Sequence, residues 1–185
     1  HVRNRIGIIT VRKPDHMEWL EWGINNGIDA ILLGWVKDNP QVFQSFEDIT
    51  NPDDNPYIFH PRAVGRTSFV TPRSLEAASD ILKLRDHMDD VSVTAALMGT
   101  IGDRAAMDMM AYVRLADDLP RLQQIKDSPE TAPVPSSAAA VCMVVYRTLA
   151  SLEREWLDQW LTYMGRLSKE AQGLFANGVR APGYK

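Results

Sequence analysis

The chain has 185 residues, a formal net charge of −4 and a hydrophobic content of 45%. A chain of this length forms one domain, or two small subdomains that share a core, and can fold without a metal or a disulfide. The acidic balance argues against a nucleic-acid-binding surface, which needs a dense basic face. The absence of any apolar run of about 18 residues argues against a membrane span.

The N-terminal segment predicts a β-strand. Residues 6–12 are rich in Ile and Val, and the pattern closes at Pro14. Because His1 leads directly into this pattern, with no initiator methionine and no apolar signal segment, we expect a fragment of a longer, cytoplasmic protein.

The next stretch predicts two short helices and then irregular chain. Asp15 is a typical N-cap and Gly27 a typical stop for the first helix, and the second ends before Pro40. Residues 48–68 are rich in Pro, Asn and Gly and predict an extended, irregular crossing. A loop of this length is usually functional or packed against the rest of the protein.

The remainder of the chain predicts helices. The segment from Thr71 to about residue 88 carries one apolar stripe, and two further helices are punctuated by Gly99 and Gly102. A short helix then leads into a proline-rich linker around residues 128–135. Three helical segments follow, at 136–149, 152–164 and 167–177. The predicted fold class is mainly α, a helical bundle with one N-terminal β-strand.

Few residues indicate chemistry that is complete within this chain. The four histidines are scattered without metal-ligand spacing, so we expect no metal site. Cys142 lies in an apolar helix and is interpreted as an inert core residue. The segment "GTIGDRAA" (99–106) lacks the Lys-Ser/Thr of a phosphate loop and is interpreted as a helix-to-helix turn. The tryptophans at 19, 22 and 35 are expected to pack in the core or an interface rather than form a ligand platform.

One charge is unusual for its position. Thr71 and Pro72 are typical of the N-cap and first turn of a helix, and Arg73 follows at once. The helix dipole disfavours a positive charge there, by about 0.3–1 kcal/mol. Two interpretations are equally good from the residues alone. Arg73 forms a salt bridge with Glu76, Asp80 or a more distant acid, or it helps the helix N-terminus bind an anion such as phosphate.

Several segments occur in a characteristic order. "VRNRIGIITV" places Asn-Arg before the predicted strand, "WLEWGINNGI" follows it, and "FVTPRSLEAASDIL" begins the next amphipathic helix. "LTYMGRLSKEAQGLF" closes the series. In this order the segments resemble the C-terminal part of the MoxR-like AAA+ ATPases, namely the end of the ATPase core, the helical lid, the sensor-2 helix and the closing helix. The resemblance covers nearly the whole chain.

The resemblance implies roles for particular residues. Arg73 matches the sensor-2 arginine that reaches the nucleotide phosphates from the lid, with Thr71 and Ser74 beside it as nucleotide-binding residues. Arg5 matches the arginine finger, a catalytic residue that acts on the nucleotide of a neighbouring subunit, whereas Arg3 matches less well. The resemblance therefore also implies ATP and magnesium in the intact protein, a ring-shaped homo-oligomer, and a protein partner that ATP hydrolysis remodels or activates.

The resemblance also implies a division of the chain. Residues 1–13 correspond to the last strand of the core, 14–102 to the lid, and 103–185 to a C-terminal helical extension packed on the lid. The family's phosphate-binding loop, magnesium-binding strand and sensor-1 residue have no counterpart here, so the chain alone is expected to be inactive and without a cofactor. A free-standing helical interaction module derived from such a lid is an alternative, and an unrelated helical enzyme is another.

Overall fold

A computed structural model describes residue 9 and residues 12–117 and 119–181 of the chain. These residues are mainly helical, as the sequence predicts. The α-helices are α1 (His16–Asn25), α2 (Ala30–Asp38), α3 (Pro72–Lys83), α4 (Asp90–Ile101), α5 (Asp103–Asp117), α6 (Leu122–Asp127), α7 (Ala138–Ser151), α8 (Leu157–Met164) and α9 (Lys169–Arg180). Short 3-10 turns lie at Pro40–Phe43, Phe46–Asp48, Pro52–Asp54, Arg85–His87 and Arg154–Trp156.

The predicted strand over residues 6–12 lies outside the described residues, apart from Ile9 and Arg12. Neither of those two residues is in a strand. The strand therefore stays a prediction, as does the division of the chain after residues 13 and 102.

The first helix begins and ends as its sequence predicts. Asp15 Oδ1 accepts a hydrogen bond from the Glu18 N–H at 2.9 Å, and Glu18 Oε2 accepts one from the Asp15 N–H at 3.1 Å. This reciprocal pair is a capping box. Gly27 follows the last turn with a φ of 69°, a left-handed conformation that glycine adopts without strain.

Helix α3 is shorter than its sequence predicts. We expected it to continue to about residue 88, but it ends at Lys83 and gives way to the 3-10 turn at Arg85–His87. The buried stripe of α3 ends at Leu82, and the following Leu84 is 56% exposed. Extending the α-helix would bury no further apolar side chain, so packing gives no reason for it to continue.

Gly99 does not interrupt a helix, contrary to the prediction. Helix α4 runs through it to Ile101, because Leu97 and Ile101 both lie buried on the same face, one turn apart. Gly102 alone separates α4 from α5, with a φ of 88°. The predicted helix-to-helix turn is confirmed at this glycine.

The core forms around α2, in which Ile31 to Val36 are all buried. Helix α2 packs against α7, α1, α5 and α3. Its closest neighbour approaches at Gly34, where an added Cβ would lie only 2.9 Å from Met143 Cγ of α7. The small residue therefore allows α2 and α7 to come into close contact at the centre of the bundle.

The crossing at residues 48–68 is irregular, as predicted, and is held in place by Arg66. Its guanidinium donates hydrogen bonds to the carbonyl oxygens of Pro52 at 2.7 Å and of Asn55 and Ile58, each at 3.2 Å. Beyond this anchor, the Val70 N–H donates to the Tyr57 carbonyl at 2.7 Å. These bonds bring the chain to the start of α3 along a defined path.

Candidate functional site

The start of α3 is closed by two side chains that bond to each other's backbone. Thr71, in extended conformation, accepts a hydrogen bond at Oγ1 from the Ser74 N–H at 3.0 Å. Ser74 Oγ accepts one from the Thr71 N–H at 2.8 Å and donates to the Phe69 carbonyl at 3.0 Å. Both hydroxyl groups, which the resemblance assigns to nucleotide binding, are thus engaged within the protein and fix the first turn of the helix.

Apolar residues on either side of this cap secure the direction of the chain. Val70 precedes the cap and Leu75 is the fourth helical residue, and they are 2% and 0% exposed. This is the arrangement of a hydrophobic staple, as the sequence predicts. The orientation of the first helical turn, including that of Arg73, is therefore set by both hydrogen bonds and burial.

Arg73 is exposed and makes no ion pair or hydrogen bond within the described part of the chain. Of the two acids in reach along the helix, Asp80 pairs with Lys83 at 3.2 Å, and Glu76 makes no ion pair there. The backbone N–H of Arg73 likewise has no partner among the residues that the structure describes, and Pro72 before it has no N–H at all. Among the described residues, the first turn therefore has one amide and one guanidinium without a partner. It contains no acidic residue.

A small cavity lies beside the segment that leads into α3. Its volume is about 220 Å³, and residues Gly65–Ser68 and Gly102–Arg104 line it together with Pro56. An added Cβ at Gly102 would lie 2.6 Å from the Ser68 carbonyl oxygen, so the α4–α5 turn presses directly on this segment. The turn before α5 thus packs against the segment that leads into α3.

Two of the three tryptophans and the cysteine lie in the core. Trp19 and Trp35 are buried, which confirms packing as their role, whereas Trp22 is 41% exposed. Cys142 is buried, which confirms it as a core residue, and burial raises the pKa of its thiol. Within residues 12–117 and 119–181, no group of three or more His, Cys, Asp or Glu side chains is placed to hold a metal ion.

Arg5 and Arg3 lie outside the described residues. The structure therefore places Arg73, Thr71 and Ser74 together at one helix start and leaves the predicted arginine finger untested. No helix in the described ranges has both the length and the apolar content to cross a membrane.

One feature of the structure has no signal in the sequence. Arg85, just after α3, and Arg147, in α7, line the same cavity at the opposite end of α3 from Arg73. They are distant along the chain and belong to no motif, so only the packing of the helices brings them together.

The chain was compared with protein-family models, with curated proteins and with solved structures, and none of them matches it.

Proposed function

We propose that this chain is the lid and sensor-2 region of a MoxR-like AAA+ ATPase, and that Arg73 contacts the nucleotide phosphates in the intact protein. The observation that supports this proposal is the exposure of Arg73 at the start of α3. This residue lies in the first turn of a well-capped helix, exposed and without a partner among the described residues. A guanidinium and a free amide at the positive end of a helix dipole form a favourable site for a phosphate group.

The proposed mechanism couples the position of the lid to the state of the nucleotide. The cap formed by Thr71 and Ser74 holds the first turn of α3 rigidly on the bundle, so a contact between Arg73 and a phosphate transmits force to the whole helix. Hydrolysis removes that phosphate and releases the lid. The intact protein uses this movement to remodel or activate a protein partner.

The proposal assigns the nucleotide-binding core of the ATPase to regions outside this chain and the arginine finger to the chain itself. ATP binds mainly to the phosphate-binding loop of the core, and magnesium is held by the phosphates and by the core. Arg5 acts as the arginine finger on the nucleotide of the neighbouring subunit in a ring-shaped homo-oligomer. The chain alone is therefore inactive in this proposal.

The first test is the mass of the natural gene product in its source cells, measured by immunoblot with an antibody against this chain. The proposal requires a band well above the 20.8 kDa of the chain, because a domain that carries the phosphate-binding loop must be attached. A band at the mass of the chain would exclude the ATPase assignment.

The second test is ATP hydrolysis by that natural product with Arg73→Ala. We expect turnover to fall about tenfold or more, the value of a charged hydrogen bond in the transition state. Arg114→Ala is the matched control, because Arg114 is also an exposed helical arginine with no ion pair among the described residues. Normal turnover by Arg73→Ala, or an equal loss in both variants, would contradict the sensor-2 role.

A third test addresses Arg5. We expect Arg5→Ala to abolish turnover, since arginine fingers contribute about 10³–10⁵ in rate, while nucleotide binding persists. Mixing this variant with subunits that carry an intact Arg5 should restore hydrolysis at the variant's nucleotide site. The absence of any restoration would argue against action across a subunit interface.

A second candidate function is a free-standing interaction module, which an exposed aromatic cluster favours. Phe46 and Phe59 are 38% and 46% exposed, and their ring centroids lie 5.7 Å apart. Phe59 also contacts Phe69, with centroids 5.3 Å apart. Exposed aromatic residues are typical of binding surfaces. This function predicts a native product at the mass of the chain, so the immunoblot distinguishes the two proposals.

A further inference from the structure

A cavity of about 820 Å³ lies at the C-terminal end of α3, one helix length away from Arg73. Its walls come from the connection between α1 and α2, the residues that follow α3, the end of α5, and α7. A volume of this size falls within the range of about 300–1,000 Å³ that is usual for small-molecule sites.

Two arginines from different elements line this cavity. Arg85 lies in the 3-10 turn after α3, and Arg147 lies in the last half of α7. Burial lowers the pKa of Arg147, and the positive charge of Arg85 lowers it further. The two like charges therefore share one cavity, and Arg147 is partly dehydrated there.

The hydrogen bonds of these two guanidinium groups are incomplete. Arg85 Nη2 pairs with Asp117 Oδ1 at 2.9 Å and its Nε lies 3.9 Å from Asp86 Oδ1, whereas its Nη1 is buried and has no partner among the described residues. Arg147 makes one long hydrogen bond in the described part of the chain, from Nη2 to the Ala116 carbonyl at 3.4 Å. A guanidinium carries five N–H donors, so both groups hold donor capacity that the protein leaves unused.

Acidic side chains also line the cavity beside these arginines. Asp29 Oδ1 accepts the Ile31 N–H at 2.8 Å as the cap of α2, and burial raises the pKa of its carboxyl. Among the described residues, the cationic side chains that line the cavity are Lys83, Arg85, Arg121 and Arg147, and the acidic ones are Asp29, Asp86 and Asp117. The three carboxylates disfavour a dianion such as a phosphate monoester.

Part of the remaining lining is apolar. Ile28, Leu82 and Met143 face the cavity from three different elements and belong to the buried core, with exposures of 4%, 1% and 1%. Arginine donors beside apolar walls are typical of a site that orients a ligand by its charged group and binds the remainder by burial.

We propose that this cavity binds a small organic acid, with its carboxylate held by Arg85 and Arg147 and its short apolar body against Ile28, Leu82 and Met143. The carboxylate supplies acceptors in the plane that the guanidinium fork requires. The inference concerns the chain itself and does not depend on the ATPase assignment.

The test is a titration of the 185-residue chain, followed by calorimetry, with acetate, butyrate, hexanoate and benzoate at millimolar concentrations. Hexanamide serves as the uncharged counterpart of hexanoate, and inorganic phosphate serves as an anion without an apolar body. We expect saturable binding of hexanoate or benzoate, weaker binding of acetate, and none of hexanamide. Arg147→Gln should weaken binding about tenfold or more, the value of a hydrogen bond between charged groups.

Arg114→Gln is the matched control, because this exposed arginine of α5 lies outside the cavity and should leave the affinity unchanged. A measurement on the unaltered chain avoids dependence on the folding of variants: saturating hexanoate should protect Arg147 from modification by phenylglyoxal, as read by mass spectrometry. The proposal is overturned if no acid of the series binds, or if phosphate binds as tightly as hexanoate. It is also overturned if hexanoate binds but phenylglyoxal still modifies Arg147.

Discussion

Thr71 and Ser74 exchange backbone and side-chain hydrogen bonds across the start of α3, at 3.0 Å and 2.8 Å. Each hydroxyl satisfies an amide that the helix itself leaves without a partner. The residues that the resemblance assigns to nucleotide binding therefore form a helix cap, and their contribution to stability can be measured in the chain alone.

Removing the cap should destabilise the chain. We expect Thr71→Ala to lower the free energy of unfolding by about 1 kcal/mol, since the Ser74 amide then loses its acceptor. Urea unfolding followed by circular dichroism measures the effect. Ser136→Ala is the control, because Ser136 is exposed and its hydroxyl makes no hydrogen bond within the described residues. An equal, small effect of both substitutions would mean that the cap contributes little.

Arg73 should act in the opposite direction. Its charge faces the positive end of the α3 dipole without a compensating acid, so Arg73→Gln is expected to stabilise the chain by about 0.3–1 kcal/mol at low salt. Because salt screens an exposed charge, the gain should shrink as ionic strength rises. Thermal unfolding at low and high salt tests this. A loss of stability instead would indicate that Arg73 has a partner within the folded chain.

The starts of the helices were predictable because their signals are local. Asp15 and Thr71 cap the residues that follow within one turn, and the pattern that shows this is complete in the sequence. The ends were less predictable, because burial in the folded bundle decides them. Helix α3 ends because the turn after Leu82 buries no apolar side chain. Helix α4 continues past Gly99 because Leu97 and Ile101 are buried on the same face.

The candidate site was predictable only in part, for a related reason. The position of Arg73 follows from the cap before it. Its lack of a partner among the described residues depends on the folded position of the Asp80 side chain, which pairs with Lys83 instead. The cavity of Arg85 and Arg147 left no signal, because residues on separate helices meet there through packing alone. No local sequence pattern predicts that these two distant residues line the same cavity.

The pH dependence of stability should reveal the pair formed by Arg12 and Glu18. The hydrogen bonds from Arg12, with that from the Asp15 amide, lower the pKa of the Glu18 carboxyl from 4.5 to about 2. A carboxyl whose pKa is lower in the folded chain stabilises it above the unfolded value, and this stabilisation is lost as the pH falls from 4.5 through about 2.

Glu18→Gln isolates this effect, because glutamine also fits the capping box. We expect the free energy of unfolding of the unaltered chain to exceed that of Glu18→Gln at neutral pH, and the two to converge as the pH falls towards 2. Urea unfolding across this pH range measures the difference. Glu21→Gln is the control, since Glu21 is exposed on the same helix and makes no ion pair among the described residues. A difference that does not change with pH would contradict the lowered pKa of Glu18.

Gly102 and Gly99 should respond to the same substitution with opposite signs. Gly102 has a φ of 88°, and a Cβ there would lie 2.6 Å from the Ser68 carbonyl oxygen, an atom of the backbone that cannot rotate away. Gly102→Ala should therefore destabilise the chain by about 1 kcal/mol or more. At Gly99, inside α4, an added Cβ meets no atom within 4 Å. Gly99→Ala should stabilise the chain by about 0.5–1 kcal/mol, because alanine favours the helix interior.

The two variants control for each other, because they add the same methyl group three residues apart. Thermal unfolding of both gives the comparison. Since Gly102 presses on the segment that leads into α3, Gly102→Ala should also increase hydrogen exchange at the Leu75 amide, the first intrahelical donor of α3. Unchanged exchange at Leu75 in a destabilised Gly102→Ala chain would mean that the α4–α5 turn does not support the start of α3, and Arg73 would then owe its position to the cap alone.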